Sequence, residues 1–508
     1  MERMLVAPAH EKPEEVDDEN LPMATVVIPL NAHTRAHAGG SAAASSAGET
    51  KKENGSSRAV VPSVDEASLV AIIKLAKEEN NCSGVVDAMR EGASSANVAE
   101  QGCRALLSLA HNANIDNQKN IREAGGIAMI VSRMEEHGAS NTGVAEKGCW
   151  ALRNFSANAD NRKSIREAGG IAIILSMMEV HGESNAVVAE NGCIALSNLA
   201  ANANNQKSIG EVGGIGIILS MMNVHGASNA GVAAQGCSAL WNLAINANNQ
   251  KSIREAGGIA MILSMMKEHG ASNADVAEKG CAALCNVALN DDNQKTIGEA
   301  GGIDMIVRMM EVHGASHAGV AGTGCGVLLC LAGNHVNNQK RIGEAGGIAM
   351  IVRMMDVHGA SNAGLAANGC GALQNLAAND ENSKTIRDAG GIAMILSMMK
   401  EHGASNAGVA EKGCWALRNL SANADNRKSI GEAGGIAMIL SMMEEQGALN
   451  AVVAENGCVA LINLAINANN KRKILAANSV SMIERMKATW AINEGVQKYA
   501  NTALSTLR

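Results

Sequence analysis

Apolar and polar residues follow one another along most of this chain in a pattern that repeats about every 44 residues. Each period has a short polar segment, an apolar segment such as residues 215–224, and a third segment of mixed character. Within residues 144–156, buried-type residues recur at the i, i+4, i+7, i+11 spacing of a helical stripe, namely at Ala145, Cys149, Leu152 and Ser156. The pattern therefore predicts three helices in every period.

Two glycine-containing anchors mark the period. A Gly-Gly pair begins at Gly125, Gly169, Gly213, Gly257, Gly301, Gly346, Gly390 and Gly434. A Gly-Cys pair ends at Cys103, Cys149, Cys193, Cys237, Cys281, Cys325, Cys370, Cys414 and Cys458. A period of this length predicts a stacked array in which no unit buries its apolar face alone. Because glycine tolerates the left-handed conformation, each Gly-Gly pair predicts a corner at the end of the first helix.

The pattern divides the chain into a tail and an array. Residues 65–508 are predicted to form one solenoid, with a divergent first unit at 65–116, eight regular units at 117–469 and a capping unit at 470–508. Residues 1–64 contain an acidic run and a Gly/Ala/Ser stretch. That composition predicts a disordered tail, and the alternative is a short docking segment at residues 21–30.

Composition and motifs argue against several functions. The formal net charge of −8 gives no broad basic surface, so nucleic acid is not an expected partner. Aromatic residues are too scarce for a large enzyme pocket, and no P-loop, dinucleotide fingerprint or nucleophile motif occurs. We therefore predict that the chain is not an enzyme and has no cofactor.

The location of the protein is predicted from weak signals. No secretory leader opens the chain, and the apolar run at residues 24–30 is far too short to span a membrane. These features predict a cytoplasmic protein. The basic triplet at residues 471–473 fits a charged face of the capping unit, with a nuclear signal as the alternative.

Cysteines and histidines form two regular series. Nine of the twelve cysteines recur at the Gly-Cys anchor, and stacked helices about 8–10 Å apart are too distant for disulfides. Free thiols in turn predict a reducing compartment. The same spacing prevents shared zinc ligation by the histidine series His137, His181, His225, His269, His313, His358 and His402. No metal is expected. Cys281 and Cys285 lie one helical turn apart, but no further metal-binding residue is clustered with them.

The repeating unit resembles the armadillo repeat over about 440 of the 508 residues. Three helices, a glycine corner, a buried second helix and endings such as residues 195–200 carry the resemblance. The units are most similar to armadillo repeat-containing protein six and to the armadillo domain of leucine-rich repeat kinase two. This resemblance implies an all-α, armadillo-like α-solenoid, a right-handed superhelix of about ten repeats, acting as a monomeric protein-binding scaffold or adaptor.

The resemblance also implies a binding site. Third helices of such repeats line a concave groove, in which an asparagine binds the backbone of an extended peptide. We call the groove-facing residues of one third helix a rung. The matching asparagines are Asn154, Asn198, Asn242, Asn286, Asn375, Asn419 and Asn463, whereas two rungs have Ser108 and Cys330 instead. Residues beside the asparagine vary between units, as in a tailored recognition surface, with drift at exposed positions as the alternative.

Two rungs combine tryptophan, arginine and asparagine. Trp150, Arg153 and Asn154 match Trp415, Arg418 and Asn419, and both sets are similar to the Trp/Asn pairs of importin-α. Trp241 adds a third tryptophan beside Asn242. Glutamates one turn earlier predict a basic or polar peptide ligand. A nuclear transport adaptor of importin-α type and an armadillo-type regulator of small GTPases are the alternative functions.

Overall fold

The described part of the chain, residues 64–110, 115–333 and 335–508, consists of helices joined by short turns in this computed structural model. These residues form thirty α-helices and no strand. None of those helices is long and apolar enough to cross a membrane. Residues 1–63, on which the predicted tail and docking segment fall, lie outside the described residues.

The helices follow one another in threes, and we call three consecutive helices a unit. The first helices are Glu66–Glu78, Ile115–Glu123, Ala159–Glu167, Ala203–Glu211, Ala247–Glu255, Asp291–Glu299, Val336–Glu344, Asp380–Asp388, Ala424–Glu432 and Ala468–Ala476. The second helices are Cys82–Glu91, Gly126–Arg133, Gly170–His181, Gly214–His225, Gly258–His269, Gly302–His313, Gly347–His358, Gly391–His402, Gly435–Glu445 and Ser479–Thr489. The third helices are Ala96–Leu109, Thr142–Ser156, Ala186–Leu199, Ala230–Leu243, Ala274–Val287, Ala318–Ala332, Ala363–Leu376, Ala407–Leu420, Ala451–Ala465 and Glu494–Leu507. The domain boundaries proposed from the sequence stay a prediction.

The Gly-Gly pairs make the predicted corners. The first glycine of all eight pairs has a φ of 75–83°, where a side chain would be strained. The second glycine is needed for a different reason: a Cβ at Gly170 would overlap the side chain of Ile165. In the last unit Asn478 takes the left-handed position, with a φ of 57°. The corner predicted from the sequence is confirmed.

The Gly-Cys anchor packs the third helix onto the second. A Cβ at Gly192 would overlap Met178, so glycine allows the two helices to approach. Cys193 and the other eight anchor cysteines are completely buried and free. Burial raises the pKa of each anchor thiol to about 12. These thiols are therefore apolar core residues, as the sequence predicts.

Side-chain hydrogen bonds join each unit to its neighbour on two sides. On the first helices, the Asn249 amide donates to the main-chain oxygen of Gln206 in the preceding unit at 3.0 Å. The equivalent bond is made by Asn293, Asn338, Asn382, Asn426 and Asn470. Such bonds between neighbours stabilise a solenoid, because each unit contacts only the next.

The histidine series provides the second set of links. The His225 Nε2 donates to the main-chain oxygen of Gly182 in the preceding unit at 2.6 Å, and all seven histidines make this contact. Trp490 takes over the role in the last unit, where its Nε1 donates to the oxygen of Gly447. Across the described residues, no three His, Cys, Asp or Glu side chains cluster as metal ligands would.

Candidate functional site

The third helices form one continuous layer. Each contacts the third helix of the next unit, and these neighbours approach each other more closely than neighbouring first or second helices do. In a curved stack the inner layer follows the shorter path, so the third helices lie on the concave side. All of the predicted site residues lie on these helices.

Six of the seven predicted asparagines link neighbouring rungs. The Asn242 amide donates to the main-chain oxygen of Ser197 at 2.9 Å, and the Asn286 amide donates to that of Trp241 at 3.0 Å. The same contact with the preceding rung is made by Asn198, Asn375, Asn419 and Asn463. The series therefore holds the layer together. Any role of these six in binding peptide stays a prediction and would use their remaining polar atoms.

Asn154 differs from the other six. Among residues 64–110, 115–333 and 335–508, no residue is hydrogen-bonded to its side-chain amide, which is half-buried on the groove side. Trp150, one turn earlier, is also half-buried, and the Lys147 ammonium lies 5.5 Å from its ring centroid. This rung thus offers an aromatic face and an open amide close together.

The arginines of the two tryptophan rungs point to the next unit. Arg153 donates to the side-chain oxygen of Asn191 at 2.8 Å, and Arg418 donates to that of Asn456 at 2.7 Å. Arg418 is 5% exposed and its guanidinium carbon lies 5.8 Å from the ring centroid of Tyr499. The arginines therefore serve first as links between third helices.

The middle of the groove carries small residues. The position after the anchor cysteine, which is Trp150 or Arg104 elsewhere, is Ala282, Gly326 and Gly371 in three successive rungs. A small cleft opens there, lined by Trp241, Ala282, Cys285, Asn286, Gly322, Thr323, Gly326 and Asn368. Half-buried Trp241 forms one wall of this cleft and Asn368 the other.

The glutamates of the groove lie against the next third helix. A Cβ at Gly143 would overlap the carboxylate of Glu100, and Gly319 makes the same room for Glu278. A helix N-terminus favours such a carboxylate. In the tryptophan rungs, Glu146 instead pairs with Lys147, and Glu411 accepts from the Asn450 amide at 3.2 Å. These carboxylates therefore each have a partner within the layer, which is a helix N-terminus, a lysine or an amide.

Two cysteines outside the anchor series meet on the groove side. The Sγ atoms of Cys285 and Cys330 lie 3.8 Å apart in neighbouring rungs. Cys330 occupies the asparagine position, and Cys285 immediately precedes that position one rung earlier. The sequence contained a signal for this contact, because Asn242 and Ser197 are separated by the same 45 residues. It was missed because Cys285 was compared only with Cys281.

Comparison with known proteins agrees with this architecture. Residues 167–256 match a family model described as armadillo-like. An engineered protein solved by a structural genomics consortium aligns with 86% of this chain and 98% of its own, at 21% identity and a TM-score of 0.70. A structure from a study of a phosphorylation switch in the interaction between cadherin and beta-catenin aligns with 87% of this chain and 96% of its own, at 15% identity and a TM-score of 0.60.

The fold of the chain is thus an all-helical solenoid. Its repeats are armadillo-like, as the family model and the solved structures together indicate. At 15–21% identity the structural likeness shows the fold alone. No curated protein matches the chain, so its resemblance to two particular armadillo proteins stays a prediction.

Proposed function

We propose that this protein is a non-catalytic scaffold or adaptor of the cytoplasm, whose third-helix layer binds an extended segment of a partner protein. The observation that carries the proposal is the rung of Trp150 and Asn154. Asn154 is the one asparagine of the series whose amide forms no hydrogen bond with a described residue, and Trp150 lies one turn from it.

These two side chains suit an extended peptide. A primary amide both donates and accepts, so Asn154 can bond the C=O and N–H of one backbone unit. Tryptophan is among the residues that contribute most to binding energy at protein interfaces. The half-buried ring of Trp150 would cover an aliphatic stem of the ligand while Asn154 holds its backbone.

Local charge pairing favours a polar ligand without a long basic run. Glu146 is paired with Lys147, and Glu100 is paired with Arg104 at 3.1 Å. A run of lysines would have to displace these cations. The alternative functions, a nuclear transport adaptor and a regulator of small GTPases, rest on resemblance alone. A nuclear location of part of the protein is proposed only together with the transport-adaptor alternative.

Peptide display tests this proposal directly. A library of linear peptides is selected on the full chain, and calorimetry then measures the affinity of each selected peptide. We expect Trp150→Ala combined with Asn154→Ala to weaken binding by more than about 1 kcal/mol, roughly fivefold, with a nearly unchanged melting temperature. Val224→Ala, at an exposed position on a second helix, is the control. Equal binding by the double variant, or loss of binding in the control, would contradict the proposal.

A further inference from the structure

Cys285 and Cys330 form a thiol pair that no other two cysteines of this chain reproduce among the described residues. We propose that this pair is an oxidation site, at which a reversible disulfide joins the third helices Ala274–Val287 and Ala318–Ala332. The proposal rests on the 3.8 Å contact between the two sulfur atoms and does not depend on peptide binding.

Access separates this pair from the anchor cysteines. Cys330 is half-buried on the groove side, so it is more accessible to an oxidant than the fully buried cysteines. Cys285 lies directly behind it and is 5% exposed. By contrast, all nine anchor cysteines are completely buried, and the helices above them would have to separate before reagent could enter. Cys330 is therefore the first thiol that an oxidant meets, and Cys285 is placed to resolve the product.

The surroundings favour a thiolate on Cys330. Either thiol can donate in this contact, and with the Cys285 S–H as the donor the hydrogen bond lowers the pKa of Cys330 and raises that of Cys285. The positive charge of Lys412 acts on Cys330 in the same direction. Lys412 runs past Gly371, where a Cβ would lie only 3.0 Å from its Cδ. A glycine at this rung thus allows the lysine to approach the sulfur pair.

Oxidation by a low-molecular-weight disulfide, such as oxidised glutathione, gives a balanced reaction. The Cys330 thiolate attacks one sulfur of the oxidant, forms a mixed disulfide and releases the first glutathione thiolate. Cys285 then loses its proton and attacks the Cys330 sulfur, which breaks the mixed disulfide and releases the second thiolate. Two protein thiols are oxidised, one glutathione disulfide is reduced, and the two released thiolates take up the two protons.

Closing the bond requires the two sulfur atoms, and with them the two third helices, to move closer together. The sulfur atoms must approach from 3.8 Å to the about 2.05 Å of a disulfide. The junction is suited to this change, because Cys330 replaces the asparagine that links six other pairs of rungs through a main-chain oxygen. A disulfide would supply a covalent link at the junction where that hydrogen bond is missing.

The experiment uses the full native chain with oxidised glutathione as the probe. After timed exposure, the remaining thiols are alkylated, and digestion with mass spectrometry locates every modified cysteine. We expect a peptide linked through residues 285 and 330 to form at least roughly tenfold faster than any anchor cysteine is modified, and dithiothreitol to reverse the link.

Two variants borrow residues from other rungs of the same chain, so each should fold. Cys285→Ser repeats Ser197 and should stop at the mixed disulfide on Cys330. Cys330→Asn repeats the usual asparagine and should leave Cys285 unmodified. Cys82→Ser is the control and should oxidise at the wild-type rate. The proposal is overturned if the linked peptide does not form, if anchor cysteines react as fast, or if Cys285→Ser gives no adduct on Cys330.

Discussion

The rungs of Trp150 and Trp415 share the sequence Trp-Ala-Leu-Arg-Asn and differ in what surrounds them. In the first, Asn154 is half-buried and no described residue bonds its amide. In the second, Asn419 is 8% exposed and donates to the main-chain oxygen of Gln374 at 3.0 Å. Identical local sequence therefore gives one open rung and one that is largely used in the fold.

The neighbouring units explain the difference. Arg418 is covered by Tyr499 from the third helix of the last unit, whereas Arg153 has no aromatic ring above it among the described residues. The lysines of the two rungs also diverge. Lys147 lies over Trp150, while Lys412 runs past Gly371 toward the sulfur pair. Gly371 and Arg104 occupy equivalent positions in the rungs that precede Lys412 and Lys147. The lysine of the first tryptophan rung therefore follows a rung with an arginine in place of the glycine.

The largest expected difference concerns stability. Arg418→Ala should lower the free energy of unfolding by about 2–3 kcal/mol, because it leaves the buried oxygen of Asn456 without its charged donor. Arg153→Ala should cost about 1 kcal/mol, since water can replace the half-buried guanidinium. Urea unfolding followed by circular dichroism measures both. Arg104→Ala, which removes an exposed ion pair, is the control. Equal losses at the two rungs would remove the distinction drawn between them.

Losses of peptide affinity should be larger at the Trp150 rung than at the Trp415 rung, which is the reverse of the order expected for stability. Trp150→Ala should weaken a selected peptide by more than about 1 kcal/mol, whereas Trp415→Ala should cost less than half as much. The reason is that the asparagine beside Trp415 is already hydrogen-bonded to Gln374 within the fold, whereas no described residue bonds the amide of Asn154. Calorimetry on the two single variants decides the matter. The sequence alone predicts two similar subsites, and equal effects would restore that interpretation.

Tyr499 should control the burial of Arg418. Tyr499→Ala removes the ring and should lower stability by about 1 kcal/mol, between the usual sizes of an exposed and a desolvated cation–π contact, because Arg418 is buried and Tyr499 is half-buried. It should also make Arg418 reactive toward a guanidinium reagent such as phenylglyoxal, as we expect half-buried Arg153 to be in the wild type. Tyr499→Phe keeps the ring and serves as the matched control. Continued protection of Arg418 in the alanine variant would show that another part of the unit covers it.

Sequence predicted the fold because the signals for it are local. The left-handed corner at Gly169 and the close approach at Gly192 need only the residues of one unit. The contacts between units depend on how far each unit is shifted along its neighbour. The bond from Asn242 to Ser197 and the bond from His225 to Gly182 span 45 and 43 residues, and this offset cannot be derived from one helix. The sequence therefore placed the candidate residues on the third helices, where the structure has them, but it did not predict the environment of the individual rungs.

The smallest expected effect concerns the half-buried Lys412. Burial lowers the pKa of Lys412 below its ordinary value of 10.5, because the charged form loses solvation. Below the folded-state pKa, Lys412 is charged in both states, so the full penalty opposes folding. As the pH rises toward 10.5, the folded chain loses this proton first and the penalty declines. Stability at this site should therefore increase with pH.

Lys412→Met removes the charge and keeps most of the side-chain volume, so it isolates this effect. The variant and its parent should both carry Cys285→Ser and Cys330→Asn, because the lysine charge also acts on those sulfurs. We expect the methionine variant to be the more stable at pH 7, and its advantage to shrink as the pH rises to about 10. Lys147→Met is the matched control on the other tryptophan rung. An advantage that grows with pH would show that Lys412 gains more from its neighbours than it loses through burial.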